Sequence, residues 1–389
     1  MEVERTCGMQ ETEQLGAGTS PEPQIRTSQS AGRTTDARRH RWGVILAGGD
    51  GTRLQSLTRL ACGDDRPKQF CPLLGGKTLL AHTRQRLASR IAPDRMLFVL
   101  TRKHERFYEE ELNQVAPLQK VIQPRNRGTL PAILWTLLRL HRTDANALVG
   151  FFPSDHYFAR QDQFVATIDR TFDYLDRMHD AVILLGSAAE RPETQYGWIE
   201  PEYGDESALH GKFTRVRCFW EKPSQPVALE LFEKGCLWNT FVMMGHVKTF
   251  LDMIRRASPG MFDRFDQAIS ARTELADEEQ SMRRVYNDLE TADFSKAVLA
   301  RSANQLLVTS CGNVGWSDLG EPRRFIEALL ENGIENPWAA AEVCNVCGLK
   351  KEQIDTSFGI GRADGAVPVA MVPVQPSAVA PAALTSIPD

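Results

Sequence analysis

Short, almost continuous apolar runs alternate with longer amphipathic ones through the first half of the chain. The runs at 44–46, 96–100, 147–152 and 182–186 are aliphatic or aromatic nearly throughout, and 120–123 has Val121-Ile122 at its centre, as strands buried on both faces of a parallel sheet have. Between them, 78–89, 104–115, 131–141 and 164–178 repeat their apolar residues at helical spacing. Strand and helix in steady alternation predict an α/β protein with a doubly wound, mostly parallel sheet. Beyond Gly186 the pattern loosens. Residues 197–201, 213–221 and 239–244 read as β-rich, 247–286 as helical and 305–309 as one more strand. This second half predicts a smaller β-rich and helical lobe covering a substrate. No internal repeat interrupts the reading.

The two ends have no such periodicity. Residues 1–41 are rich in Gly, Ser, Thr, Gln and Arg and are expected to be a disordered leader, its Arg38-Arg39-His40-Arg41 run solvated rather than anion-binding. Residues 341–389 carry Pro368, Pro373, Pro376, Pro381 and Pro388 and are expected to be a mostly disordered tail. Charge adds one constraint: 46 Lys and Arg against 50 Asp and Glu leave a net charge of -4, with no global attraction for nucleic acid or an anionic membrane. Any anion must be caught locally. No apolar run approaches the roughly 20 residues needed to cross a bilayer, and the first residues lack the apolar core of a signal peptide, so the expected compartment is the cytoplasm. Eight scattered cysteines do not form a disulfide framework, and Cys344 and Cys347 have metal-like spacing but no second pair. The eight histidines form neither HxH nor HExxH, so no zinc hydrolase signature is present.

The strongest chemical signal is the turn after the first strand, Leu46-Ala47-Gly48-Gly49-Asp50-Gly51-Thr52-Arg53-Leu54. Glycines at 48, 49 and 51 lack the Cβ atoms that would keep phosphate oxygens from backbone N–H groups, and Arg53 adds a cation with paired donors. No Gly-Lys-Ser/Thr follows, which excludes a Walker A loop, and Leu54 stands where a dinucleotide fingerprint has its third glycine. A plain strand-to-helix turn is the alternative, and Thr52-Arg53 speak against it.

Together with Arg66-Pro67-Lys68-Gln69-Phe70, this loop resembles the signature of the sugar nucleotidyltransferases, and within them the mannose-1-phosphate guanylyltransferases. Phe152-Pro153-Ser154-Asp155-His156, Thr194-Gln195-Tyr196-Gly197-Trp198-Ile199-Glu200, Phe219-Trp220-Glu221-Lys222-Pro223, Trp238-Asn239 and Val314-Gly315-Trp316-Ser317-Asp318-Leu319-Gly320 follow in that family's order, so the similarity spans about 42–330. The resemblance implies a Rossmann-like nucleotidyltransferase fold over 42–340, with a nucleotide-binding part at 42–190 and a sugar-phosphate-binding part at 191–340. It implies that mannose-1-phosphate and GTP are joined to GDP-mannose and pyrophosphate by in-line attack on the α-phosphate, with Mg²⁺ as cofactor. Arg53, Lys68 and Asp155 are then the catalytic residues. Leu46, Ala47, Gly48, Gly49, Gly51, Thr52, Asn126, Gly128 and Thr129 join those three in binding nucleotide. Gly197, Glu221, Lys222 and Asn239 bind the sugar phosphate, and Asp155 and Asp318 bind the metal.

The same residues make physical sense for such a reaction, because two polyanions must be brought together and their growing charge neutralised. Lys68 follows a proline just beyond the glycine loop and is placed to reach the α-phosphate. Asp155 stands past a strand end, where open α/β sheets gather ligands; it suits Mg²⁺, and an N-cap is the alternative. Glu221 and Lys222 point to opposite faces if both lie on a strand. Residues 125–129 open a helix, and its N-terminus is a place for a phosphate or base.

Four departures leave base and sugar open. Gln55 and Ser56 replace the family's Trp and Pro, and Arg125-Asn126-Arg127-Gly128-Thr129-Leu130-Pro131-Ala132 replaces its Arg-Asn-Thr-Ala-Pro-Ala. Phe241 follows Thr240 where a glycine is usual, and the C-terminal β-helix or cupin domain of larger relatives is expected to be missing, with a homodimer left open as the assembly. The alternatives are the same reaction with another sugar-1-phosphate or with UTP, ATP or dTTP, and a non-catalytic sugar-nucleotide sensor. Retention of Lys68, Asp155 and Asp318 speaks for the enzyme.

Overall fold

The aliphatic runs become the strands β1 (Arg41–Leu46), β2 (Met96–Thr101), β3 (Lys120–Gln123) and β4 (Leu148–Pro153), followed by a short β5 (Tyr157–Phe158) and by β6 (Val182–Ala188). The chain is seen in a computed structural model that describes residues 39–72, 74, 76–202, 209, 211–270, 274–322, 324, 325 and 328. The leader expected at 1–41 lies outside the described residues up to residue 38, and the tail expected at 341–389 lies outside them entirely. β1 begins inside the expected leader. Arg41 is buried with its guanidinium on Asp173 (2.8 Å) and Asp176 (2.6 Å), and His40 meets Asp144 at 2.9 Å, so these two members of the basic run are paired rather than solvated.

The second half supplies β7 (Gly197–Pro201), β8 (Thr214–Glu221), β9 (Leu237–His246), β10 (Leu306–Ser310) and β11 (Trp316–Ser317). One nine-stranded sheet runs β3-β2-β1-β4-β9-β6-β10-β8-β7. β1, β2, β3 and β4 pair in parallel, as do β6 and β10. Every pairing of β7, β8 and β9 is antiparallel. The β-rich second half is therefore built onto the same sheet, with β9 inserted between β4 and β6. That central place suits β9, whose residues are buried along almost its whole length.

The helices are α1 (Gln55–Cys62), α2 (Leu79–Leu87), α3 (Glu105–Tyr108), α4 (Thr129–Thr143), α5 (Gln161–Leu175), α6 (Gln225–Glu233), α7 (Val247–Ala257), α8 (Pro259–Ser270), α9 (Leu275–Asn287) and α10 (Phe294–Ala297). α4, α7, α8 and α9 pack their apolar residues on one face of the sheet, and α2, α5 and α6 on the other. The helix expected over 104–115 ends at Tyr108. Glu109, Glu110 and Glu111 follow, and three acids at the negative end of a helix dipole oppose its continuation. A third apolar cluster, including Leu54, Leu57, Leu74, Tyr157 and Leu319, lies beneath the glycine loop.

Candidate active site

The parallel register Leu46↔Pro153 brings the carboxyl ends of β1 and β4 side by side, so the glycine loop and Asp155 leave adjacent strand ends. The loop's carbonyls are taken up from outside: Gln69 Nε2 donates to Ala47 O (3.1 Å) and Gly49 O (2.8 Å), and Thr101 Oγ1 to Gly48 O (2.9 Å). Leu46 O accepts from Ser154 N at 3.0 Å, and Ala47 N donates to Val99 O at 2.8 Å. A Cβ on Gly48 would lie 2.7 Å from Gln123 Nε2, and Gly51 has φ 61°, the left-handed region in which glycine is favoured. A Cβ on Gly49 would meet nothing within 4 Å; the loop is open on that side. Thr52 and Arg53 begin a 3-10 turn on the surface. Buried Gln69, which shapes this cradle, was legible only as part of a motif.

Beside the loop is a cavity of about 340 Å³, lined among others by Leu46, Gly48, Gly49, Gln123, Asn126, Gly128, Thr129, Asp155, Phe241 and Asp293. Asn126 Nδ2 donates to Asp50 Oδ2 at 3.0 Å, and its Oδ1 accepts from Gly128 N at 3.0 Å. Gly128 has φ 86°, and a Cβ there would lie 2.3 Å from Ala292 O. Thr129 Oγ1 accepts from Phe294 N (2.8 Å) and donates to Asp293 (3.2 Å), tying the start of α4 to α10.

Lys68 is buried, not free at the surface. Its ammonium lies 3.3 Å from Asp155 Oδ2 and donates to the main-chain carbonyls of Asp318 and, at 3.1 Å, Leu319. β11 places Asp318 there by pairing antiparallel with β5, just past Asp155, and Trp316 Nε1 and His156 Nδ1 join across the pair at 3.2 Å. The Asp318 carboxylate accepts from Gly320 N (2.8 Å), Arg324 Nη1 (3.0 Å) and Tyr196 Oη (3.2 Å), while Arg53 Nη2 lies 3.8 Å from its other oxygen. Burial pushes this carboxyl up, but Lys68 above all, with Arg324 and the Gly320 N–H, outweighs it and holds it below the usual carboxylate range. Burial pushes the His156 imidazole down, which favours the neutral ring. Arg324 lies beyond the last recognisable motif, so only the fold reveals it.

Gly197 pairs with Glu221 across β7 and β8, and a Cβ at Gly197 would lie 3.2 Å from Glu221 Oε2 and 3.3 Å from Asn239 Cβ. These three therefore share one patch. Burial first, and Asp293 second, push the Glu221 carboxyl up despite Lys222 and Lys296. Lys222 lies just past β8 with φ 52°, so the opposite-face reading of Glu221 and Lys222, which assumed a continuing strand, does not apply. Asn239 is buried and accepts from Phe241 N at 3.1 Å; Phe241 has φ 59° and lines the cavity. Lys222, Phe241 and Leu319 are the non-glycine residues with positive φ among those described, and all three lie in these segments. Strain of this kind persists where the surroundings over-determine it, as at functional sites.

Among the described residues no three His, Cys, Asp or Glu side chains converge as a ready metal site. Lys68 meets Asp155 through its carboxylate and Asp318 through its main-chain carbonyl, and Asp155 Oδ1 has His156 Nε2, at 4.0 Å, as its ion-pair neighbour. Two carboxylates fit a hard divalent cation that completes its shell with phosphate oxygens and water.

Residues 42–333 match the protein family described as nucleotidyl transferase. The chain is 27% identical over 296 residues to the xanthan biosynthesis protein XanB of Xanthomonas campestris pv. campestris, covering 75% of this chain and 60% of that protein. It is 28% identical over 291 residues to the mannose-1-phosphate guanylyltransferase of Escherichia coli strain K12, covering 71% and 57%. The chain thus spans about 60% of the length of these curated relatives. A solved structure of a protein called mannose-1-phosphate geranyltransferase, from Thermus thermophilus, superposes with a TM-score of 0.63 at 27% identity, covering 77% of this chain and 81% of that one.

Proposed function

The chain belongs to the nucleotidyl transferase family, and on that premise we propose that it joins mannose-1-phosphate to GTP, giving GDP-mannose and pyrophosphate. The observation that carries a transfer between phosphates is the meeting of Lys68, Asp155 and the Asp318 turn at the strand edge that holds the glycine loop. The choice of mannose and guanine rests on the likeness to the Escherichia coli guanylyltransferase.

In this reading the glycine-loop N–H groups and Arg53 bind the triphosphate, and the base enters the cavity beside Gln123 and Gly128. Gly197, Glu221, Lys222 and Asn239 hold the sugar phosphate. A half-buried Glu221 that keeps its proton longer can both donate to and accept from a sugar hydroxyl. A phosphate-monoester oxygen of mannose-1-phosphate attacks the α-phosphorus in line, and pyrophosphate leaves. The attacking oxygen is already largely ionised at neutral pH, so no general base is required; the protein supplies position and positive charge. Lys68 keeps Asp155 and the Asp318 turn together. A divalent metal serves nucleotidyl transferases of this family; we assign it here to Mg²⁺ held by Asp155 and Asp318, where it supplies charge neutralisation of phosphate oxygens.

Pyrophosphate release, measured over a grid of GTP, ATP, UTP and dTTP against mannose-1-phosphate and glucose-1-phosphate, tests the assignment. GTP with mannose-1-phosphate is expected to give the highest kcat/KM. A different best pair corrects the substrates, and no release from any pair refutes the enzyme.

A further inference from the structure

Building on the nucleotide reading above, we propose that Asp50 is a positioning residue, locking the glycine loop to the 125–129 loop and thereby setting the shape of the nucleotide cavity. A carboxylate is an odd occupant of a phosphate cradle, because free negative charge there repels the ligand. Here both oxygens are engaged. Oδ1 meets His104 Nε2 at 3.1 Å and Lys103 Nζ at 3.7 Å, and Oδ2 accepts from Asn126 Nδ2 at 3.0 Å.

His104 is the buried anchor of this arrangement. Its side chain is 3% exposed, its ring lies 6.1 Å from that of Phe70, and its Nδ1 is buried without a hydrogen-bond partner in the described structure. A neutral ring with its proton on Nε2 satisfies Asp50 and leaves no N–H stranded. Asn126 then has both ends of its amide committed, one to Asp50 and one to Gly128 N. It therefore shapes the loop instead of reading the base. The loop's far side is fixed as well, since Ala292 N donates to Arg127 O at 3.0 Å and Ala292 O accepts from Leu130 N at 3.1 Å. Gly48, Gly49, Asn126 and Gly128 line one cavity, so the Asp50–Asn126 bond spans its rim.

The test is calorimetric binding of GTP, ATP, UTP and dTTP to wild type, Asp50→Ala, Asp50→Asn, Asn126→Ala and the double alanine variant, with KM for both substrates and thermal melting alongside. Each single alanine change should weaken the preferred triphosphate about tenfold, the usual scale for losing one hydrogen bond to a charged group. The double variant should lose no more than about twofold beyond either single, because both remove the same bond. Asp50→Asn keeps an acceptor for Asn126 and should restore binding to within about threefold of wild type. KM for the sugar phosphate should hold in every variant, and the melting temperature should hold in Asn126→Ala, which leaves the buried His104–Asp50 pair intact. Independent losses in the double variant, or equal rises in both KM values, overturn the proposal. Should Asp50→Ala fail to fold, Asn126→Ala breaks the same bond from the exposed side and decides alone. If wild type binds none of the four nucleotides, the nucleotide reading fails and this inference with it. If wild type binds but Asn126→Ala binds equally well, only the inference fails.

Discussion

At the scale of single residues, Lys68 and Arg53 divide what the sequence treats as one kind of group. Both are cations beside a phosphate cradle, but Lys68 is 8% exposed by side chain against 60% for Arg53. Removing Lys68 strands two main-chain carbonyls and the Asp155 carboxylate, whereas Arg53 has one distant ion pair, 3.8 Å from Asp318. Lys68→Ala should therefore cost about 1–3 kcal/mol of stability as well as activity, and Arg53→Ala should stay within about 0.5 kcal/mol of wild type. Both should lower kcat by about 100-fold or more, the scale for losing one charge-stabilising donor. Denaturation midpoints and initial rates check the pair; equal stability losses, or a KM change with kcat retained, would contradict it. The chemistry of Lys68 was legible in its motif. Its burial was not, because the carbonyls that bury it come from 250 positions further along the chain.

At the scale of elements, the glycine loop and the entrance to α4 use glycine for different reasons, which substitution separates. Gly128 is required by the fold, since its φ is 86° and a Cβ would lie 2.3 Å from Ala292 O. Gly49 is not among the positive-φ glycines, and a Cβ there would meet nothing within 4 Å. Gly128→Ala should therefore destabilise the protein by about 2 kcal/mol or more, while Gly49→Ala should leave stability within about 0.5 kcal/mol and still weaken triphosphate binding. Melting curves paired with nucleotide titration read both, and a Gly49→Ala protein that binds as wild type would show that no ligand approaches this backbone. Local pattern read the strands well: 120–123 and 197–201 appear as β3 and β7 with the same bounds. It erred where the deciding force is not local. The periodicity of 104–115 is helical, yet three consecutive glutamates end the helix. The stretch 239–244 reads as β-rich, but nothing local says that the strand it belongs to, β9, enters between β4 and β6.

At the scale of the molecule, the site depends on bringing Asp155 and Asp318 together from distant parts of the chain, and the topology does so in two steps. β10 lies parallel to β6 within the main sheet, and the chain then returns as β11 to pair with β5 next to Asp155. The sequence reading puts Asp155 past a strand end and gives Asp318 only as a member of a motif; the ribbon between β5 and β11, too short to show a periodicity, was not legible. Lys68 joins the Asp155 carboxylate to the main-chain carbonyl of Asp318, and in the proposed reading the two carboxylates share one divalent cation. Each Asp→Asn change should raise the Mg²⁺ concentration needed for half-maximal rate. Gly320 N, Arg324 and Tyr196 already hold the Asp318 carboxylate in place, and an amide keeps only part of that pairing, so Asp318→Asn should also lower stability more than Asp155→Asn. The double change should cost far less than the product of the two singles, because residues of one site fail together. Rates against Mg²⁺ for both singles and the double, with melting temperatures alongside, make the measurement. Multiplicative losses would falsify a shared metal and leave Asp318 a structural partner of Arg324, Tyr196 and Lys68.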